Sequence, residues 1–160
     1  MSHIFPESKD QLLPVGIFRR LAAISYDFLL TLALLMTTTG IYMIISDAII
    51  GNEKYRALTE AGKTIQDPWL SSLLFITVFV FFGFFWTKNG QTLGMQAWHL
   101  RVQNEDGTHI SWNQALLRFL MSIISFGGFG IGILWSLIDK KNRTWQCIFS
   151  ESIIVRLPKK

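Results

Sequence analysis

Charge is scarce in this chain, and the usual tools of catalysis are absent. Charged residues make up 16% of its 160 residues, against roughly 25% in an ordinary soluble domain. Cys147 is the single cysteine, so no intrachain disulfide can form. It sits between Trp145 and Ile148 with basic residues only at a distance, which predicts a plain thiol. His3, His99 and His109 are scattered and no Cys/His spacing suits zinc, so neither a metal nor a cofactor is expected. Gly90 and Gly94 bracket a turn but lack the Gly-Lys-Ser/Thr ending of a phosphate loop. With no acid–base pair and no nucleophile beside a base, an enzyme is not expected.

Long uncharged runs are what the chain does have. Residues 28–46, 68–87 and 119–138 carry no Asp, Glu, Lys or Arg. Each run, at 1.5 Å rise per residue, is long enough to cross a hydrocarbon layer roughly 30 Å thick. Hydrophobic residues make up 50% of the chain. The expectation is an all-α integral membrane protein whose main partner is the lipid bilayer. The net charge of +4 comes from Lys and Arg flanking the apolar runs, which is not a nucleic-acid stripe. The first run is not read as a cleavable signal, because its apolar part is too long and no small-x-small site follows.

Two full transmembrane helices are expected, about 17–46 and 68–87, inside a membrane domain covering 16–157. A tail, 1–15, precedes that domain and a basic end, 158–160, follows it. Asp47 to Asp67 reads as a solvated connection with a short helix at 53–61. Pro68 suits a helix start, and Trp69 and Trp86 read as interfacial anchors at opposite ends. Thr37, Thr38, Thr39 and Gly40 are small enough to admit a close neighbour. Asp106-Gly107 signals a tight hairpin turn after the alternating residues 99–103. Ser111 reads as the cap of a helix beginning at Trp112, and Ile153, Ile154 and Val155 suit a short strand.

A third helical segment, about 112–139, is broken by Gly127, Gly128, Gly130 and Gly132. Glycine in a helix interior costs roughly 1 kcal/mol relative to alanine. The segment is therefore either a third span or a re-entrant hairpin. Charge separates the two. If it turns back, twelve of the fifteen Lys and Arg share the cytoplasm and only Lys54, Arg56 and Lys63 lie outside. A full third span with the N-terminus inside leaves six inside and nine outside, against the positive-inside tendency. The hairpin is favoured, with the N-terminus cytoplasmic, and it allows the strand near 153–155 to pair with 100–103.

One acid stands out. Asp27 lies in the first apolar helix, seven residues after Arg20, so the two fall roughly 20° apart on one face. An acid at membrane depth costs roughly 2.5 to 3.5 kcal/mol, so it needs a partner or a task. Arg20 and Arg118 are candidate partners, and Thr31 shares its face.

Phe18-Arg19-Arg20-Leu21-Ala22-Ala23 followed by Asp27, then Gly90-Gln91-Thr92-Leu93-Gly94, then Leu100-Arg101-Val102 through Asp106-Gly107, form an ordered set. Ala115-Leu116-Leu117-Arg118, Asp139 and Ser152-Ile153-Ile154-Val155-Arg156-Leu157 continue it. Over roughly 14–157 the chain resembles the RDD family of membrane proteins. The resemblance implies that Arg20 is the family arginine and Asp27 its first aspartate. Near the C-terminus the family carries a His-Asp pair where this chain has Gln146-Cys147, which leaves Asp139 as the nearby acid. It also implies a bacterial inner-membrane location and transport of an undefined ligand. Two functions compete on these residues: ion or proton handling at Asp27, and a non-transport assembly, regulatory or anchoring module with a structural Arg/Asp set. Both admit a homo-oligomer or a membrane-protein partner.

Overall fold

The computed structural model describes residues 5, 13, 15–50, 60, 67–128, 130–139 and 143–158. Two long helices carry the apolar runs. Helix α1 spans Ile17–Ile50 and helix α2 spans Pro68–Lys88. Both are long and apolar enough to cross a membrane, the second just matching a bilayer core. Leu, Ile, Phe and Ala fill them, and no proline interrupts either interior. The short helix expected at 53–61 lies outside the described residues except for Glu60, which is helical.

Two compact units divide the chain: Leu29–Val80, and Met1–Phe28 together with Phe81–Lys160. Within the first, the threonine hydroxyls are satisfied close to home. The Thr37 and Thr38 hydroxyls donate to the Ala33 and Leu34 carbonyls one turn back, each at 2.9 Å. Gly40 has nothing within 4 Å of where a Cβ would stand, so no close neighbour uses this small-residue stretch among the described residues. Asp67 caps α2 by accepting the Trp69 N–H at 2.9 Å, and the Tyr42 phenol donates to its other oxygen.

The second unit holds the rest. After α2 come helix α3 (Leu93–Ala97), strand β1 (Leu100–Asn104), helix α4 (Trp112–Gly127) and helix α5 (Ile131–Leu134). A 3-10 turn (Trp135–Leu137), helix α6 (Trp145–Phe149) and strand β2 (Ser152–Arg156) complete it. Strands β1 and β2 pair antiparallel, from Leu100↔Arg156 to Asn104↔Ser152. Asp106-Gly107 does form the tight turn, with the Gly107 N–H donating to the Asn104 carbonyl at 3.0 Å. The partner strand is nevertheless β2, since the β-branched run at 153–155 gives the longer ladder.

This sheet gathers several chain ends. Leu13, four residues before α1, exchanges two backbone hydrogen bonds with Arg156. Gly90, just after α2, accepts the Val102 N–H at 2.7 Å. Ser111 and Gln114 form a reciprocal cap that starts α4, and Gln114 also donates to the Ser150 carbonyl at 3.0 Å. The chain therefore leaves the sheet at Ser111 and is back beside it by Ser150. Between those points the axes of α4 and the α5 turn are bent by 108°.

Gly130, at φ 77°, supplies the left-handed conformation at the break. Gly132 serves packing instead, because a Cβ there would stand 2.6 Å from Ser125 Oγ and 3.2 Å from Trp145 Cβ. Gly127 ends α4 and Gly128 caps it, its N–H donating to the Ile124 carbonyl at 3.0 Å.

Trp86 is not the exposed anchor expected. It is 8% exposed and lies beneath the Arg118 guanidinium, 5.3 Å from ring centroid to Cζ, whereas Trp69 is 80% exposed. Arg101 stacks at 3.9 Å over Phe5, whose ring also stacks on that of His109 at 3.9 Å.

Candidate functional site

Helix α1 presents Arg20, Ala23 and Asp27 to the interior of the second unit, all three buried. The spacing of three, four and seven puts them on one helical face. Asp27 receives two donors. The Thr92 hydroxyl reaches Oδ2 at 2.5 Å, and the Gly94 N–H reaches Oδ1 at 2.9 Å. Thr92 is itself the cap of α3, accepting the Met95 N–H at 3.2 Å. One carboxylate thus fastens the start of α3 to α1.

Gly94 makes that approach possible. A Cβ there would collide with the Ala23 carbonyl oxygen and stand 2.8 Å from Asp27 Oδ1. The stretch from Thr92 to Gly94 is therefore a socket for Asp27, made of one hydroxyl and one backbone N–H. Thr92 was visible in the sequence as part of a motif, but its role as the donor to Asp27 was not, because 65 residues separate them.

Arg118 does not serve Asp27. From α4 its Nη1 donates to Ser152 Oγ at 2.6 Å and to Cys147 Sγ at 3.6 Å. The Thr144 hydroxyl also donates to that sulfur, at 3.2 Å. Cys147 is 2% exposed and Arg118 4%.

The plain, remote thiol expected from local sequence is thus replaced by one held against a guanidinium. Packing of α6 on α4 brings the two together across 29 residues. Burial pushes the Cys147 thiol up, but Arg118, the Thr144 hydroxyl and Arg20 together outweigh it and leave it below its ordinary value.

Asp139 stands apart from these groups. It accepts the Arg143 N–H at 2.9 Å and faces Arg143 Nε at 3.4 Å. The break glycines line neither the Asp27 nor the Arg118 cluster; Gly132 meets Ser125 and Trp145 instead. Among the described residues, no group of three or more His, Cys, Asp or Glu is placed to hold a metal ion.

The RDD family matches residues 14–150. This chain belongs to the RDD family. Comparison with curated proteins and with solved structures gives no match. Arg20, Asp27, Arg118 and Asp139 lie inside the matched region. The family assignment and the two apolar helices together make the chain an integral membrane protein.

Proposed function

We propose that this RDD protein is a multi-pass module of the bacterial cytoplasmic membrane, working in assembly, regulation or anchoring, with Asp27 as a structural clamp. The observation that carries this reading is the double occupation of Asp27 by the Thr92 hydroxyl and the Gly94 N–H. A carboxyl group that takes two donors from one short segment secures α3 on α1 without any reaction. Its lipid-facing helices make the bilayer its first partner, and a copy of itself or another membrane protein the next. Nucleic acid is not a partner in this reading, and the module is not an enzyme.

In the proposed topology the N-terminus is cytoplasmic, α1 and α2 cross, and the 112–137 element re-enters and returns. The positive-inside distribution supports it, as does the pairing of β1 with β2 on either side of the bent element. Reporter fusions at Lys160 and at the N-terminus are expected on one side of the membrane; opposite sides would overturn it.

The second reading, ion or proton handling at Asp27, draws on the bend at Gly130, since broken helices suit ion sites in transporters. Flux measurements on purified protein in liposomes separate the two. The clamp reading expects cation- and pH-dependent flux at the level of empty liposomes, with Asp27→Asn lowering the thermal midpoint. Flux above that level in the wild type, abolished by Asp27→Asn in a folded protein, would establish the second reading instead.

A further inference from the structure

A guanidinium that is 4% exposed needs a negative partner, because burying an unpaired charge costs several kcal/mol. Among the described residues, the polar and ring contacts of the Arg118 side chain are Ser152 Oγ, Cys147 Sγ and the Trp86 ring, and none is a carboxylate. Its Nε makes no hydrogen bond. Among the described residues within hydrogen-bonding distance of Arg118, only Cys147 can carry a negative charge. Both hydrogen-bond contacts of its sulfur are with donors: Nη1 of Arg118 and the hydroxyl of Thr144. A sulfur that only accepts is arranged as a thiolate is arranged.

We propose that Cys147 is held as a thiolate and is the buried counter-anion of Arg118, so that this pair locks α6 and β2 onto α4. The lock is a three-way junction. Arg118 comes from α4, Cys147 from α6 and Ser152 from β2, and the Ser150 hydroxyl shares a 2.7 Å hydrogen bond with that of Ser152. Of the elements around the sulfur, α4 contributes Arg118 and α1 contributes the field of Arg20. Helix α5, Ile131–Leu134, carries no titratable side chain. The groups that act on the thiol are thus two cations and one hydroxyl, opposed by burial.

The direction of the pH dependence follows. The folded thiol sits below its unfolded value of roughly 8.5. The pair's stabilising contribution is therefore fully present above about pH 8.5 and is lost as pH falls through the folded-state midpoint. Protonation leaves Arg118 with no counter-charge from this sulfur.

Cys147 is the chain's only cysteine, so the part of the ultraviolet absorbance change in a pH titration that Cys147→Ser removes reports on its thiolate, apart from the three tyrosines. The expected midpoint in the detergent-solubilised full chain lies below that of an ordinary thiol, and rises in Arg118→Gln. A midpoint at or above the ordinary value, or one that Arg118→Gln leaves unmoved, overturns the proposal. If Arg118→Gln does not fold, thermal midpoints of two Cys147 variants decide. Cys147→Asp, which keeps a negative charge, is expected to stay close to wild type at neutral pH and to lose stability only at more acidic pH. Cys147→Ser, neutral and nearly the same size, is expected to lose the stabilisation and its pH dependence. Cys147→Ser matching the wild type across the pH range overturns the ion pair.

Discussion

The Leu29–Val80 unit and the unit built from residues 1–28 and 81–160 solve the same problem over different distances. Both must satisfy polar groups within a largely apolar protein. In the first, hydroxyls turn back to a carbonyl four residues away, as Thr37 does to Ala33 and Thr38 to Leu34. In the second, partners come from far along the chain: 65 residues for Asp27 and Thr92, 34 for Arg118 and Ser152. A hydroxyl bonded within its own turn asks nothing of the fold. Asp27 and Arg118 are not satisfied that way, so each one forces a particular packing of distant segments. The difference teaches that the charged residues, few as they are, specify the tertiary structure here, while the apolar runs specify only helices.

Substitutions at the long-range contacts should therefore cost more than those at the local ones. The largest effect is expected at Gly94→Ala, whose Cβ would meet the Ala23 carbonyl oxygen and the Asp27 carboxylate. Overpacking of this kind costs about 1–3 kcal/mol, to be read as a lowered thermal midpoint in detergent. A Gly94→Ala protein as stable as wild type would mean that α3 is not seated on α1 through Asp27.

A smaller effect is expected at Asp67, where the comparison sharpens. The Tyr42 phenol and the Trp69 N–H hold the Asp67 carboxyl below its ordinary value. Its contribution is thus present above the unfolded value of roughly 3.9 and is lost as pH falls through the folded value. Asn retains capping ability, so Asp67→Asn should keep α2 intact at neutral pH and flatten the acid limb of a stability–pH curve. An unchanged acid limb would show that the Tyr42 contact contributes nothing.

The smallest effect belongs to Thr38→Val. It removes a hydroxyl whose only recorded hydrogen bond is to its own helix, and a change within about 0.5 kcal/mol is expected. A loss comparable with that at Gly94 would break the comparison and point to a neighbour for α1 on the Thr38 side.

Parts of the fold could be read directly. The uncharged runs at 28–46 and 68–87 fall within α1 and α2, and Ser111 does cap the helix that begins at Trp112. These are local features, set by hydropathy, capping and backbone freedom within a few residues. The glycine cluster announced a break, but not that Gly130 would make it while Gly132 packs against Ser125.

The site was legible only in outline. Arg20, Asp27 and Arg118 were visible as charges in apolar surroundings, yet their partners were not. Asp27 binds a hydroxyl and a backbone amide, groups too common to stand out in a sequence. Cys147 looked inert because no basic residue is close to it in the chain, and the cation beside it arrives from α4.

By itself, then, the sequence determined the membrane-spanning character, the helices, the turn residues and the presence of a few charges that had to be buried. Tertiary structure alone decided that Asp27 would be spent on α3 and that Arg118 would face Cys147. The physical reason is range. Hydropathy and helix hydrogen bonds act within a few residues, whereas a buried charge is satisfied by whatever group the fold brings within about 3 Å.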